Sequence, residues 1–240
     1  MDRASGALDE LVAVQSRAAI DVFQALMDPL HSRTWNVISE DAGLERLRAL
    51  NKKHALVFLP AHRSYVDSLV LGDVLARNDF PRNHIMGGAN LRIWPLADLA
   101  RRAGLVFIRR SFGDDKVYKA VVEEYFGYLL SKRFNLEWYF EGGRSRTGKL
   151  RAPRLGLLAY VAQAVSSGRV QDVYLVPASV TYDRLYEVAA MAAEQEGAKK
   201  QPEGLKWLAK YARSQRTTMG GNAIVRFGEP ISLATRLAPA

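Results

Sequence analysis

The sequence predicts an α/β protein: a single domain with a largely parallel central sheet flanked by helices, and a short N-terminal helical extension. Two observations carry this. From Ala55 onward, short apolar runs alternate with longer segments of helical period, and strands that alternate with helices build parallel sheets. The chain has 240 residues, 48% of them hydrophobic, enough to bury the core of one large α/β domain. Residues 1–50 read as an N-terminal helical segment and residues 51–240 as the domain that carries the chemistry.

The elements follow in order. Leu8, Leu11, Val12, Ile20, Phe23 and Leu26 recur near helical spacing, so Leu8 to Leu30 reads as one amphipathic helix. Its charges are mixed, which favours packing on the domain over lying on a bilayer. "ALVFL" from Ala55 is a strand and "SLVLGDVLA" a helix. "NHIMGGA" is a short strand. "WPLADLARRAG" is a helix with Pro95 near its start and Gly104 at its end. "LVFIRR" is a strand. "DDKVYKAVVEEYFGYLLSKR" is a long helix with acids at its start and bases at its end, matching the helix dipole. "LEWYF" is a strand, "LGLLAYVAQAVSSG" a helix and "VYLVPASVTY" a strand. A charged helical region follows, broken at Pro202 to Gly204, and "NAIVRFG" closes the sheet.

Composition excludes some chemistry. There is no cysteine, so thiolate nucleophiles, disulfides and Cys-ligated zinc are out. The formal net charge of +9 suits acidic partners: nucleic acid, anionic headgroups or phosphorylated small molecules. "MDRASGALDE" lacks the basic and apolar regions of a signal peptide. No apolar run reaches the ~18 residues of a membrane span, so any meeting with a membrane is expected at its surface.

In open parallel sheets, ligands sit beyond the carboxyl ends of the strands. After Leu59 comes "PAHRSYVDSLVL". Ser64-x-x-Asp67 ahead of an apolar run is close to a capping box. Equally, His62 just outside the helix and Asp67 in its first turn can pair. The carboxylate then fixes one imidazole nitrogen and leaves the other as a base. The cap and the pair are compatible readings. Ser64 lacks the glycines of a nucleophile elbow, and His31, His54 and His84 show no metal-ligand spacing.

The exit after Ile108 carries Arg109 and Arg110, of which alternation turns at most one toward a site. The exit after Phe140 is the richest: "EGGRSRTGKLRAPR" places Glu141, Gly142 and Gly143 before Arg144, Arg146, Lys149, Arg151 and Arg154. Glycines allow close backbone approach and guanidinium forks grip phosphate oxygens, so this reads as an anion site rather than a merely basic loop. Gly143-x-x-x-x-Gly148-Lys149 matches part of a P-loop. Leu150 stands where Mg²⁺ needs Ser or Thr, Pro153 interrupts the following helix, and no Walker B acid is found. The NTPase reading is rejected. Nucleic-acid binding is disfavoured because aromatics such as Trp138 and Tyr139 sit in apparent core strands. In the last exit, Pro177 marks a strand edge or bend.

Read together, the exits resemble the four ordered blocks of the glycerolipid acyltransferase superfamily. His62 and Asp67 match the first. Gly104, Phe107, Ile108, Arg109 and Arg110 match the second. Phe140, Glu141, Gly142 or Gly143, Arg144, Ser145 and Arg146 match the third. Val176, Pro177 and Tyr182 match the fourth. "HRSYVD", "FIRRSF" and "EGGRSRTGK" are most similar to the bacterial membrane-associated glycerol-3-phosphate acyltransferases, and "VRFGEPISL" resembles the end of that catalytic domain. Members of that branch are usually much longer, so this chain is an isolated domain, a fragment or a compact relative.

The resemblance implies a set of roles. An acyl group would pass from acyl-CoA or acyl carrier protein to the sn-1 hydroxyl of glycerol 3-phosphate in phospholipid biosynthesis. His62 would be the base and Asp67 its orienting partner. Arg109, Arg144 and Arg146 would hold the acceptor phosphate, with Lys149 as a helper. Glu141, Gly142 and Ser145 would shape the acceptor pocket. No acyl-enzyme, metal or cofactor is implied; the acyl thioester is a co-substrate. The expected place is the cytoplasmic face of the cell membrane, held peripherally, with no nucleic-acid partner. The alternatives are another acceptor, lysophosphatidate or dihydroxyacetone phosphate, or a non-catalytic module that binds anionic lipid or nucleic acid.

Overall fold

The computed structural model describes residues 2–31, 35–92, 95–145, 147, 149–185, 188, 192, 196, 213 and 221–238. Its elements are α1 (Asp2–Leu11), α2 (Arg17–Met27), β1 (Trp35–Ser39), α3 (Asp41–Asn51), β2 (Ala55–Pro60), α4 (Asp67–Arg77), β3 (His84–Gly88), α5 (Leu96–Arg102), β4 (Leu105–Ile108), α6 (Lys116–Ser131), β5 (Leu136–Glu137), α7 (Gly156–Ser166), β6 (Val173–Tyr182), β7 (Gly221–Phe227), β8 (Ile231–Ser232) and α8 (Leu233–Leu237).

The eight strands form one sheet in the order β1-β7-β6-β2-β5-β3-β4, with β8 also on β6. The block β6-β2-β5-β3-β4 is parallel throughout. β7 runs antiparallel to β6 and pairs in parallel with β1. The sheet is buried on both faces, and β2 shows how. Val57 joins a cluster with α1, α6 and α7, while Leu56 and Phe58 join the opposite cluster with α3 and α4. That two-sided burial is why β2 reads as a continuous apolar run rather than an alternating one. On α6, Tyr118, Val122, Tyr125, Phe126, Leu129 and Leu130 are buried, the i, i+4, i+7 stripe of a helix lying on a sheet. Its N-terminus is closed by Asp115, whose side chain accepts from Tyr118 N at 3.0 Å.

The structure departs from the sequence reading in the N-terminal segment, which is neither all helix nor one helix. Val12 to Ser16 leave the helical path: Val14 N and Ser16 N donate to the carbonyls of Arg101 and Arg102 at 3.1 and 2.9 Å. The Arg101 guanidinium answers by donating to Val12 O at 2.9 Å. These tertiary bonds outweigh the helical period that Leu11 and Val12 continue. The other miss is β1, a five-residue strand at the sheet edge. The region broken at Pro202 to Gly204 lies outside the described residues.

Gln15 also ties this linker to His84. Its Nε2 donates to the Arg82 carbonyl at 2.7 Å and to His84 Nδ1 at 3.2 Å. An amide nitrogen only donates, so Nδ1 accepts and the imidazole is neutral. Burial pushes His84 down to about 4, against the raising effect of a hydrogen bond with the backbone of Ala13. The unfolded ring takes a proton below about pH 6.5, and the folded ring only near pH 4. The stability that goes with the neutral ring is therefore whole above about pH 6.5 and is lost as pH falls toward 4. Across that window it amounts to about 3 kcal/mol. Urea unfolding between about pH 7 and about pH 4.5 should show this decline, and His84→Leu should flatten it.

Pro177 lies inside β6 without breaking it. On one side it pairs with Leu59 of β2. On the other it falls between the stretch that pairs with β8 and the stretch that pairs with β7. Its carbonyl still accepts from Gly228 N at 2.8 Å. The missing N–H thus falls where the ladder changes partners.

Candidate active site

Strand order decides which exits meet. β6, β2 and β5 are neighbours, so the loops after β2 and β5 and the end of β6 share one rim. The β2–β6 ladder stops at Pro60 and Ala178, and β6 runs on to Tyr182. That overhang brings the Tyr182 ring over the start of α4.

Asp67 opens α4 and is 0% exposed. Its Oδ2 accepts from Arg63 N at 2.6 Å and Ser64 N at 2.8 Å, and lies 3.0 Å from His62 Nδ1. Its Oδ1 accepts from Tyr182 O–H at 2.7 Å. A carboxylate surrounded by donors makes Nδ1 the protonated ring nitrogen and leaves Nε2 with its lone pair. The ring stacks on Tyr139 at 4.0 Å between centroids, with planes 27° apart. The two carboxylate oxygens are thus held from different elements, and one face of the imidazole rests on Tyr139.

The capping reading of Ser64 is corrected here. α4 begins at Asp67, the residue before it is Val66, and no side chain caps it. The half of a capping box that forms is the reverse bond, from Ser64 N to the carboxylate three residues on.

The loop after β5 closes over the dyad through Glu141, which is 1% exposed. Its Oε1 accepts from His62 N at 3.0 Å and its Oε2 from Arg151 N at 2.8 Å. Glu141 is a clamp between the two loops. Ser145 does similar work: its N–H donates to the His62 carbonyl at 2.9 Å and its hydroxyl to Lys149 O at 2.6 Å. Gly142 has φ +66°, and a Cβ there would run into the Arg154 side chain. Arg144 lies over the Tyr65 ring at 4.5 Å and donates to its hydroxyl at 3.1 Å. The Lys149 side chain is exposed. Arg146 lies outside the described residues.

Arg109 has other partners. Its guanidinium donates to Glu10 at 2.6 and 2.9 Å and to Asp115 at 3.2 Å, and stacks on Tyr118 at 4.1 Å. β4 lies three strands from β2 in the sheet order, about 14 Å at the usual strand spacing. Among the described contacts, those of Arg109 fasten α1 to the β4 exit, and none reaches the dyad.

Two residues that the sequence reading did not assign belong to the site. Tyr182 was visible only as a motif match. Arg63 bridges the loops, its guanidinium 3.7 Å from Glu141 Oε1 and 3.4 Å from the Lys149 carbonyl it donates to. Spacing within one loop could not have revealed either contact, because both are made across the rim. Tyr182→Phe removes a hydrogen bond to a charged group, and kcat should fall about tenfold with the fold retained. Steady-state kinetics beside thermal melts would check this.

A histidine–aspartate pair at the carboxyl rim of a parallel sheet, beside a glycine- and arginine-rich loop, is an arrangement in which an imidazole can take a proton from a bound group. The chain belongs to the acyltransferase family. The family model described as Acyltransferase matches residues 40–181, and one described as Glycerol-3-phosphate acyltransferase C-terminal region matches residues 191–240. Proteins of Mycobacterium bovis and Mycobacterium tuberculosis named "Putative acyltransferase plsB1" are 40% identical over 234 residues. That match covers 98% of this chain and 37% of theirs, so the chain spans a little over a third of the length of these relatives. The crystal structure of the 1-acyl-sn-glycerophosphate (LPA) acyltransferase PlsC from Thermotoga maritima shares the fold. It has a TM-score of 0.50 and 16% identity, covering 86% of this chain and 64% of that one.

Proposed function

We propose that this chain transfers a fatty acyl group from an acyl thioester, on CoA or acyl carrier protein, to the sn-1 hydroxyl of glycerol 3-phosphate. The observation that carries the reading is the 3.0 Å pairing of His62 Nδ1 with Asp67 Oδ2. It leaves Nε2 as the one ring nitrogen able to take a proton. Nε2 removes the hydroxyl proton as the alkoxide oxygen attacks the thioester carbonyl. The new C–O ester bond forms, the C–S bond breaks, and the departing thiolate takes the proton back from the imidazolium. Asp67 stabilises the imidazolium between those steps. No acyl-enzyme, metal or cofactor enters this sequence.

Arg144 and Arg146, with Lys149 as a helper, would receive the acceptor phosphate. Glu141, Gly142 and Ser145 hold that loop in shape, and Arg109 serves as the anchor of α1. The match to the glycerol-3-phosphate acyltransferase C-terminal region favours glycerol 3-phosphate as the acceptor. Among the described residues no helix is long and apolar enough to cross a membrane. Peripheral contact at the cytoplasmic face of the membrane, where acyl products partition, fits this reading. An acceptor panel tests it: thiol release with glycerol 3-phosphate should exceed that with dihydroxyacetone phosphate or lysophosphatidate at least tenfold in kcat/KM. Equal or better use of lysophosphatidate would overturn the assignment.

A further inference from the structure

Directly behind the dyad lies a carboxyl group that the reaction above does not use. Glu137 on β5 is 0% exposed. Its Oε1 is 2.5 Å from Ser68 Oγ, and its Oε2 accepts from Asn83 Nδ2 at 2.9 Å. Ser68 follows Asp67 in the first turn of α4. The Tyr139 hydroxyl is buried beside Ser68, without a hydrogen bond of good geometry among the described residues. The Tyr139 ring is the one stacked on His62. One contiguous cluster therefore touches both members of the dyad from the rear: Ser68 adjoins Asp67 in the chain, and Tyr139 carries the imidazole.

We propose that Glu137 is a positioning residue for the dyad: its carboxyl group, bonded to Ser68 and Asn83, fixes the first turn of α4 and the Tyr139 ring, and so aims His62. The surroundings push the Glu137 carboxyl upward, toward its protonated form. The charged and titratable groups facing Glu137 are Asp67 from α4, Arg82 from the segment before β3, and Tyr139 from the loop just after β5. Burial is the main influence holding the proton on Glu137, and the Asp67 charge adds to it. The bonds from Ser68 and Asn83 and the charge of Arg82 pull the other way. A second carboxylate would place like charges together in a dry site. Burial likewise holds the Tyr139 phenol well above its usual range. Ser68 Oγ and Asn83 Nδ2 are the donors to Glu137; a glutamine oxygen can accept from Asn83, and its amide can donate to the Ser68 hydroxyl once that turns to accept.

This inference rests on His62 being the base of an acyl transfer, and the test separates the two. Glu137→Leu keeps most of the volume and removes both bonds. We expect kcat to fall about tenfold or more with KM for glycerol 3-phosphate unchanged. The downfield proton signal of the hydrogen-bonded His62 Nδ1–H, read by NMR without substrate, should be lost. Glu137→Gln should restore the signal, and kcat to within about threefold. Should the leucine variant fail to fold, Ser68→Ala cuts the same link, with the same fall in kcat and loss of signal expected. A folded Glu137→Leu or Ser68→Ala protein with wild-type kcat and signal overturns the proposal. A glutamine variant as impaired as the leucine one also overturns it, because the carboxyl would then be needed as a charge. The NMR signal decides even if wild type shows no acceptor-dependent turnover, which would count against the acyl-transfer reading alone.

Discussion

His62→Ala should reduce acceptor-dependent acyl transfer by about 10²–10⁴-fold, to background, with thermal stability nearly unchanged. The loss is the contribution of a positioned general base. The stability follows from what remains. Asp67 still accepts from Arg63 N and Ser64 N on one oxygen and from Tyr182 on the other. The deleted ring was 20% exposed, and its removal uncovers no unsatisfied carboxylate. A change within about 1 kcal/mol is expected for such a site. Full activity in a folded His62→Ala protein would remove the base from the mechanism.

Asp67→Asn should come next in size, lowering kcat by about 10²–10⁴-fold. The amide can turn its oxygen toward the backbone donors, so the loop keeps its shape. It then presents its nitrogen to Tyr182, whose hydroxyl can rotate to accept. What it cannot do is stabilise the imidazolium. The two substitutions act on one unit, so the double variant should be no slower than His62→Ala alone. Asp67→Ala is a different experiment. It orphans the buried N–H groups of Arg63 and Ser64 and should cost about 2–4 kcal/mol of stability besides. Urea titrations of the two variants would separate the electrostatic role from the architectural one.

How far the sequence foretold this site depended on how local each contact is. His62 and Asp67 are five residues apart across a strand-to-helix turn, and such a turn brings them together whatever the rest of the fold does. The parallel block from β2 to β6 was legible because each buried strand is an apolar run bounded by turn residues. Contacts between elements distant in the chain were not legible. Arg109 reads as an anion-binding residue from its place at a strand exit, and nothing in the sequence shows that α1 delivers Glu10 to it. The linker after α1 looks helical because its period continues, while the bonds that straighten it come from Arg101 and Arg102. Glu137 reads as an ordinary strand residue. Its isolation is evident only when Ser68 and Asn83, from other elements, are found to be its partners. The Ser64 cap failed for a subtler reason: the Asp67 carboxylate takes the Ser64 N–H as a capping box would, but α4 starts only at Asp67 and the Ser64 hydroxyl accepts from Val66 N at 3.4 Å instead.

The central claim is that His62 activates the hydroxyl of glycerol 3-phosphate toward an acyl thioester. The most direct measurement is thiol release from palmitoyl-CoA by the purified chain, with and without glycerol 3-phosphate, in wild type and His62→Ala. Release that requires the acceptor and vanishes in the variant is the expected result. Release that is independent of the acceptor, or that persists in a folded His62→Ala protein, would contradict it.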